Sequence, residues 1–370
     1  MPMNRGGGAL QGLRIVEMDA IGPVPFVGMM LADFGADVVR IARAGGAWSE
    51  TAQGAPVMHR SRRRVALDLK SASGRDEAMA LLAAADAVIE GFRPGVMERL
   101  GLGPEACLAA NPRLVYGRMT GWGQSGPRAQ EAGHDINYLA LSGALDMIGP
   151  AERPMAPLNL AADYAGGALV MAFGLMAALH HAQRTGQGQV VDCAMTDGVA
   201  GLVNLFQFYR QSGQWTPTRE ANLLDGGAPF YAVYPCSDGR FVAVGCIEPQ
   251  FFAAFIHGLK LDFDPAAQMD RTGWPELRAR IAAALARAPQ QHWAAHFAGT
   301  DACVTPVLTL EEAVEDPHMR ARAAHLQAEG LWQGAPAPKL SRTPAAVTPR
   351  SEARAAEVLA EWAAPAAPRA

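Results

Sequence analysis

Apolar positions along the chain recur with two different periods, and the change of period divides it. Short β-branched runs at 13–18, 37–41, 64–69, 87–90 and 114–116 predict strands. Between them lie helix-length segments. In 25–34, for example, Phe26, Met29, Met30 and Phe34 recur at helical spacing before Gly35. Strands alternating with helices predict a mostly parallel α/β sheet. Residues 133–149 read as partly helical, and 163–184 as a strong helix ended by Gly186 and Gly188, with a strand at 190–192. After Asp197 the texture changes, and the polar, Gly/Thr-rich stretch to Gly227 reads as a connecting segment. Runs at 230–235 and 240–245 flank Ser237-Asp238-Gly239, a hairpin signal because Asp-Gly suits a primed turn. Helices are predicted at 249–259, 275–287 and 292–297, and Thr309 with Glu312 forms a capping-box pattern. Residues 230–322 therefore read as a smaller α+β unit. Four prolines within 334–350 predict an extended return segment, and 351–362 a last amphipathic helix.

Composition narrows the class. Of 370 residues, 50% are hydrophobic and 18% charged, which suits a globular protein of two domains. A formal net charge of -4 argues against broad nucleic-acid binding, which needs a positive face. The five cysteines are scattered and never form CxxC, so neither a disulfide framework nor a zinc site is expected. Residues 1–10 lack an apolar signal segment. The most lipid-like stretch, 165–179, holds 15 residues between Asp163 and His180, too short to span a bilayer and better read as a buried helix. A reducing cytoplasm is the expected setting.

Charged groups supply the candidate chemistry. His134 lies in a Gly-flanked loop soon after the glycine-rich stretch 118–126, which follows a strand, where open α/β sheets place ligands. That stretch is not GxGxxG, so no dinucleotide fingerprint is present. Asp163 reads first as a helix N-cap, a role compatible with a carboxylate beside a ligand. Gly166 and Gly167 weaken that helix, which suggests close approach by a ligand or another chain. Glu248 before Pro249 falls at a helix start, either as an ordinary turn residue or as something more. Arg40, Arg43, Arg60, Arg62, Arg63, Arg64, Arg93 and Arg99 form either a solvated face or a polyphosphate site.

Several motifs occur together. Gly91-Phe-Arg-Pro-Gly95, Glu98-Arg-Leu-Gly101 and Gly121-Trp-Gly-Gln-Ser-Gly-Pro127 resemble family III CoA-transferases. Gly133-His-Asp-Ile-Asn-Tyr138, Asn159-Leu-Ala-Ala-Asp163 and Gly245-Cys-Ile-Glu-Pro-Gln250 are similar to the alpha-methylacyl-CoA racemase branch of that family. The resemblance runs from about Leu10 to Pro344 and implies a Rossmann-like large domain completed by the C-terminus, with an inserted smaller α+β domain and an interlocked dimer. On it, residues 1–195 and 351–370 build the large CoA-binding domain, 230–322 the small domain, and 196–229 and 323–350 the linkers.

The same resemblance places His134 and Asp163 as acid/base residues and Glu248 as the carboxylate orienting the histidine. Arg43 and Arg99, with Arg93 as a weaker candidate, fall where the family contacts the CoA nucleotide. The implied reaction is racemisation of a 2-methylacyl-CoA through an enolate, one residue removing the α-proton and the other returning it. It implies an acyl-CoA partner and no cofactor beyond the substrate's own CoA: no metal, no nucleic acid and no membrane span. Phe206, Phe208, Tyr209 and methionines are candidates for the acyl pocket. The nearest alternative is CoA transfer with Asp163 as nucleophile, against which the Gly-His-Asp pattern at His134 speaks. A non-catalytic CoA-binding or assembly protein is the alternative of another class.

Overall fold

A computed structural model describes residues 8–43 and 55–364. Two compact units emerge, one from the described residues of Met1–Ser142, Pro157–Val203 and Pro317–Ala370, the other from Gly143–Ala156 and Asn204–Asp316.

The first unit is built on β1 (Arg14–Met18), β2 (Asp37–Arg43), β3 (Arg63–Leu67), β4 (Ala87–Glu90), β5 (Val115–Thr120) and β6 (Gln189–Ala194). Later strands are β7 (Tyr231–Pro235), β8 (Phe241–Gly245), β9 (Val304–Pro306), β10 (His325–Ala328), β11 (Leu331–Gly334) and β12 (Ser351–Glu352). The main sheet runs β12-β3-β2-β1-β4-β5-β6 with every neighbour parallel. The chain proceeds outward from β1 to β3, then restarts on the other side at β4. A cleft therefore opens between the ends of β1 and β4, where open α/β sheets bind ligands.

Alternation along the strands sorts the two faces. Val16, Met18, Val39, Ile41, Val65 and Leu67 form one apolar core with Leu81 and Leu82 of the helix Ala72–Ala84 and with Val358 and Trp362 of the helix Ala355–Ala363. On the other face Met171 and Leu175 of the helix Val170–Thr185 lie against Gly117. That face also carries a row of charges in register: Glu17 opposite Arg40, Arg40 opposite Arg64, and Arg64 opposite Glu352.

The early arginines are consequently part of the framework. Arg40 pairs with Asp19, Arg60 with Asp33, Arg62 with Glu17, and Arg63 with both Asp37 and Glu361. Arg62 and Glu17 are 3% and 0% exposed, so neither charge is tolerable without the other. Burial is the larger influence on Glu17 and holds its carboxyl above the ordinary range, with Arg62 opposing. Burial removes these four arginines from the solvated-face reading, whereas Arg43, Arg93 and Arg99 are exposed.

Other differences from the expected elements have physical causes. β5 continues through Arg118, Met119 and Thr120, residues predicted as loop. Arg118 can lie inside because its guanidinium donates to Glu90 at 2.9 Å and to Glu98 at 2.8 Å. Ser351 and Glu352 form a strand beside β3 instead of opening the last helix. The Asp163 helix begins earlier than expected, with Asn159 as N-cap and Leu160–Leu169 wound in the wider π geometry. Asp163 is therefore in the first turn and is not the cap. The continuous run Leu160–Thr185 has 26 residues and is, by length and composition, long and apolar enough to cross a membrane, which corrects the expected shortness. Its buried Met171, Leu175, Ala178, Leu179 and Ala182 form one stripe, as in a helix laid on a sheet.

In the second unit, β7 and β8 form the expected hairpin, with β9 antiparallel to β8. Gly239 takes φ 74 in the turn. Phe230, Phe252, Phe255, Trp274 and Trp293 fill the core under the helices Pro249–Gly258, Trp274–Leu285 and Gln290–Phe297. The Thr309 capping box is present, with bonds of 3.2 and 2.9 Å between Thr309 and Glu312. The stretch after β6 carries the helices Met195–Leu202 and Asn204–Gln211.

Candidate active site

Loops leaving β1, β4 and β5 converge past the strand ends. Ile21 and Gly22 follow β1, Gly91 to Pro94 follow β4, and Gly121 and Trp122 follow β5. All line one cavity of about 390 Å³ that also contains His134, Tyr138 and Asp163. A neighbouring cavity of about 710 Å³ shares Ile21, Gly22, Gly91, Phe92, His134 and Asp163, and extends to Met58, His59 and Tyr164. His134 and Asp163, 29 residues apart in sequence, thus face the same two spaces.

The local sequence explains how His134 is held. Its backbone is extended, at φ -132 and ψ 175, and it caps the helix Asp135–Leu141. Its N–H donates to Asn137 Oδ1 at 3.0 Å. One turn on, the Tyr138 ring returns beneath the loop, donates its hydroxyl to the Gly133 carbonyl and meets Trp122 edge-on at 4.8 Å. Tyr138 is 6% exposed, and a Cβ built on Gly121 would lie 2.0 Å from its ring. That position must be glycine for the ring to hold the loop.

Asp163 is half-buried in the first turn of its helix. Asn159 Nδ2 donates to its Oδ2 at 3.3 Å, and its backbone N–H donates to Asp135 Oδ2 at 2.8 Å. Burial pushes the Asp163 carboxyl above the ordinary carboxylate range; the Asn159 bond opposes, the Asp135 charge adds, and His134 opposes. Protonation of Asp163 therefore persists to higher pH than for a free aspartate. The glycines that follow meet a close approach within their own unit: a Cβ on Gly166 would lie 2.8 Å from Val199 Cγ2, and one on Gly167 3.0 Å from Met195 Cγ. The Gly198 Cα on the helix Met195–Leu202 approaches so closely that a Cβ there would lie 1.8 Å from the Gly166 carbonyl oxygen.

Arg93 lines the smaller cavity. Arg43 ends β2 and Arg99 ends the short helix Val96–Arg99, and neither lines the two cavities. Glu248 is exposed in the second unit at the N-cap of the helix Pro249–Gly258, without a side-chain cap bond, and Pro249 follows at N1. Phe206 packs edge-on against Trp215 at 5.1 Å, while the aromatic lining of the cavities comes from Phe92, Trp122, Tyr138 and Tyr164. Sequence reasoning missed the bonding of Asp135 and Tyr138, although both lie inside the Gly133–Tyr138 motif. No group of three or more His, Cys, Asp or Glu side chains could hold a metal ion among the described residues.

The sequence matches CoA-transferase family III over residues 10–354. The chain belongs to that family. Alpha-methylacyl-CoA racemase of Mus musculus is 48% identical over 339 residues, spanning 91% of this chain and 87% of the relative. The Homo sapiens protein of that name is 46% identical over 340 residues, spanning 91% and 88%. The crystal structure of a CAIB/BAIF family protein from Brucella suis superposes with a TM-score of 0.79 at 25% identity, covering 96% of this chain and 100% of the other. The parallel sheet with helices on both faces is thus the Rossmann-like fold of family III.

Proposed function

We propose that this chain is an isomerase that racemises 2-methylacyl-CoA thioesters by removing and returning the α-proton. The observation that carries this reading is the placement of His134 and Asp163 on one cavity past the β1/β4 crossover. Relatives at 46–48% identity that bear the racemase name support the same chemistry. Neutral His134 takes the α-proton of one enantiomer, leaving a planar enolate. Protonated Asp163 delivers a proton to the opposite face, and the roles exchange for the other enantiomer. The raised affinity of Asp163 for its proton suits the acid half of this cycle.

Around this pair, Arg43 and Arg99 bind the CoA nucleotide, with Arg93 nearer the reacting end. The CoA moiety comes with the substrate, and the reaction requires no further cofactor. Glu248, contributed by the partner subunit of an intertwined homodimer, orients the imidazole. Exposed apolar residues support a partner surface on the first unit: Phe173 is 77% exposed, Leu158 74% and Leu160 56%. Five free thiols agree with a reducing cytoplasm.

The test uses one enantiomer of a 2-methylacyl-CoA in heavy water. Racemisation with deuterium gained at the α-carbon is expected, and His134→Ala should abolish racemisation. Rapid transfer of CoA to a free acid, with an acyl adduct trapped on Asp163, would replace this reading with a transferase.

A further inference from the structure

We infer that Asp135 is a positioning residue that sets the separation of His134 and Asp163 across the substrate. The inference rests on the racemase reading and adds a residue to it. Asp135 is the first residue of the helix that His134 caps, so its backbone is bonded directly to one acid/base residue. Its side chain is buried, at 6% exposure, and reaches the start of the other helix. There Asp135 Oδ2 accepts the N–H groups of Ala162 and Asp163, each at 2.8 Å. First-turn N–H groups have no acceptor within their own helix, so one charged oxygen satisfies two of them.

The path from His134 to Asp163 therefore consists of one peptide unit, one short side chain and a hydrogen bond to the backbone of Asp163 itself. Few rotatable bonds intervene, which suits a site where a proton must be handled on both faces of one carbon. The Asp135 charge acts in a second way, helping burial keep Asp163 protonated. Among the described residues, the titratable groups facing Asp163 are His134, Asp135 and Tyr138.

Two substitutions separate shape from charge. D135A removes the acceptor, whereas D135N keeps an oxygen that can accept from both N–H groups but removes the charge. In full-length protein, folding is checked by circular dichroism and melting. D135A should lower kcat about 100-fold with KM held within about twofold, as expected for a misplacement near 1 Å. D135N should recover about tenfold of that loss. It should also move to lower pH the alkaline limb of racemisation in the direction where Asp163 donates, because Asp163 then loses its proton more readily. If D135A does not fold, the pH profile of D135N decides alone. A folded D135A with kcat near wild type, a D135N as slow as D135A, or an unmoved limb overturns the inference. Absence of α-proton exchange in the wild-type enzyme would instead overturn the racemase reading.

Discussion

Replacing Gly121 with alanine forces a conflict whose size follows from the coordinates. The new Cβ would lie 2.0 Å from Tyr138 Cζ, 2.1 Å from Cε1 and 2.3 Å from the hydroxyl oxygen. Restoring ordinary contact at 3.4 Å requires the ring or the loop to retreat by about 1.4 Å. The ring has little freedom, being buried against Trp122 and bonded to the Gly133 carbonyl. His134 follows that carbonyl directly, so the displacement is passed to the residue proposed as the base. Overpacking of this kind costs about 1–3 kcal/mol of stability. A base displaced by about 1 Å loses about 100-fold in turnover. The assay is thermal melting together with racemisation of one enantiomer resolved by chiral chromatography. Gly273→Ala is the control, because nothing lies within 4 Å of its added Cβ. Gly121→Ala with the melting point and kcat of the control would refute the argument that Tyr138 supports His134.

Reprotonation from Asp163 should fail as pH rises, and only at a pH above the ordinary carboxylate range, since burial favours the protonated form; initial rates for each enantiomer across pH check this. Arg62→Met should cost about 3–5 kcal/mol by stranding Glu17 in the core. The loss should shrink as acid protonates Glu17, and Glu17→Leu in the same chain should recover much of it; chemical denaturation at two pH values reads both effects. Arg43→Ala and Arg99→Ala should raise KM for the acyl-CoA far more than they lower kcat, and a pure loss of turnover would remove them from CoA binding.

Much of the framework was legible because local rules and tertiary packing agreed. The first four strands, the Asp238-Gly239 hairpin, the Thr309 box and Glu248 before Pro249 all follow from period and turn chemistry. The failures occur where a distant partner reverses a local preference. Arg118 reads as loop until Glu90 and Glu98 neutralise it, and β12 is too short to show a period. Arg60 to Arg64 allow a solvated-face reading because their carboxylates lie as far along the chain as Glu352 and Glu361. Within the site, the motifs carrying His134 and Asp163 were visible. The hydrogen bonds from the Asp163 turn to Asp135 depend on a crossing of two helices that no local pattern encodes.

The two-residue strand β12 has a consequence for how the molecule is made. Its partner β3 and the acceptor Asp37, which takes bonds from Arg63 and from Trp362, belong to the beginning of the chain. Residues of the second unit are synthesised in between, so that unit can fold on the ribosome while the first still lacks its border strand and closing helix. During that interval β3 presents an open edge, the arrangement most prone to wrong pairing with another nascent chain. The charges along β3 act as a temporary guard: Arg63 and Arg64 disfavour a second like-charged edge, and Glu352 and Glu361 release that guard when the correct ending arrives.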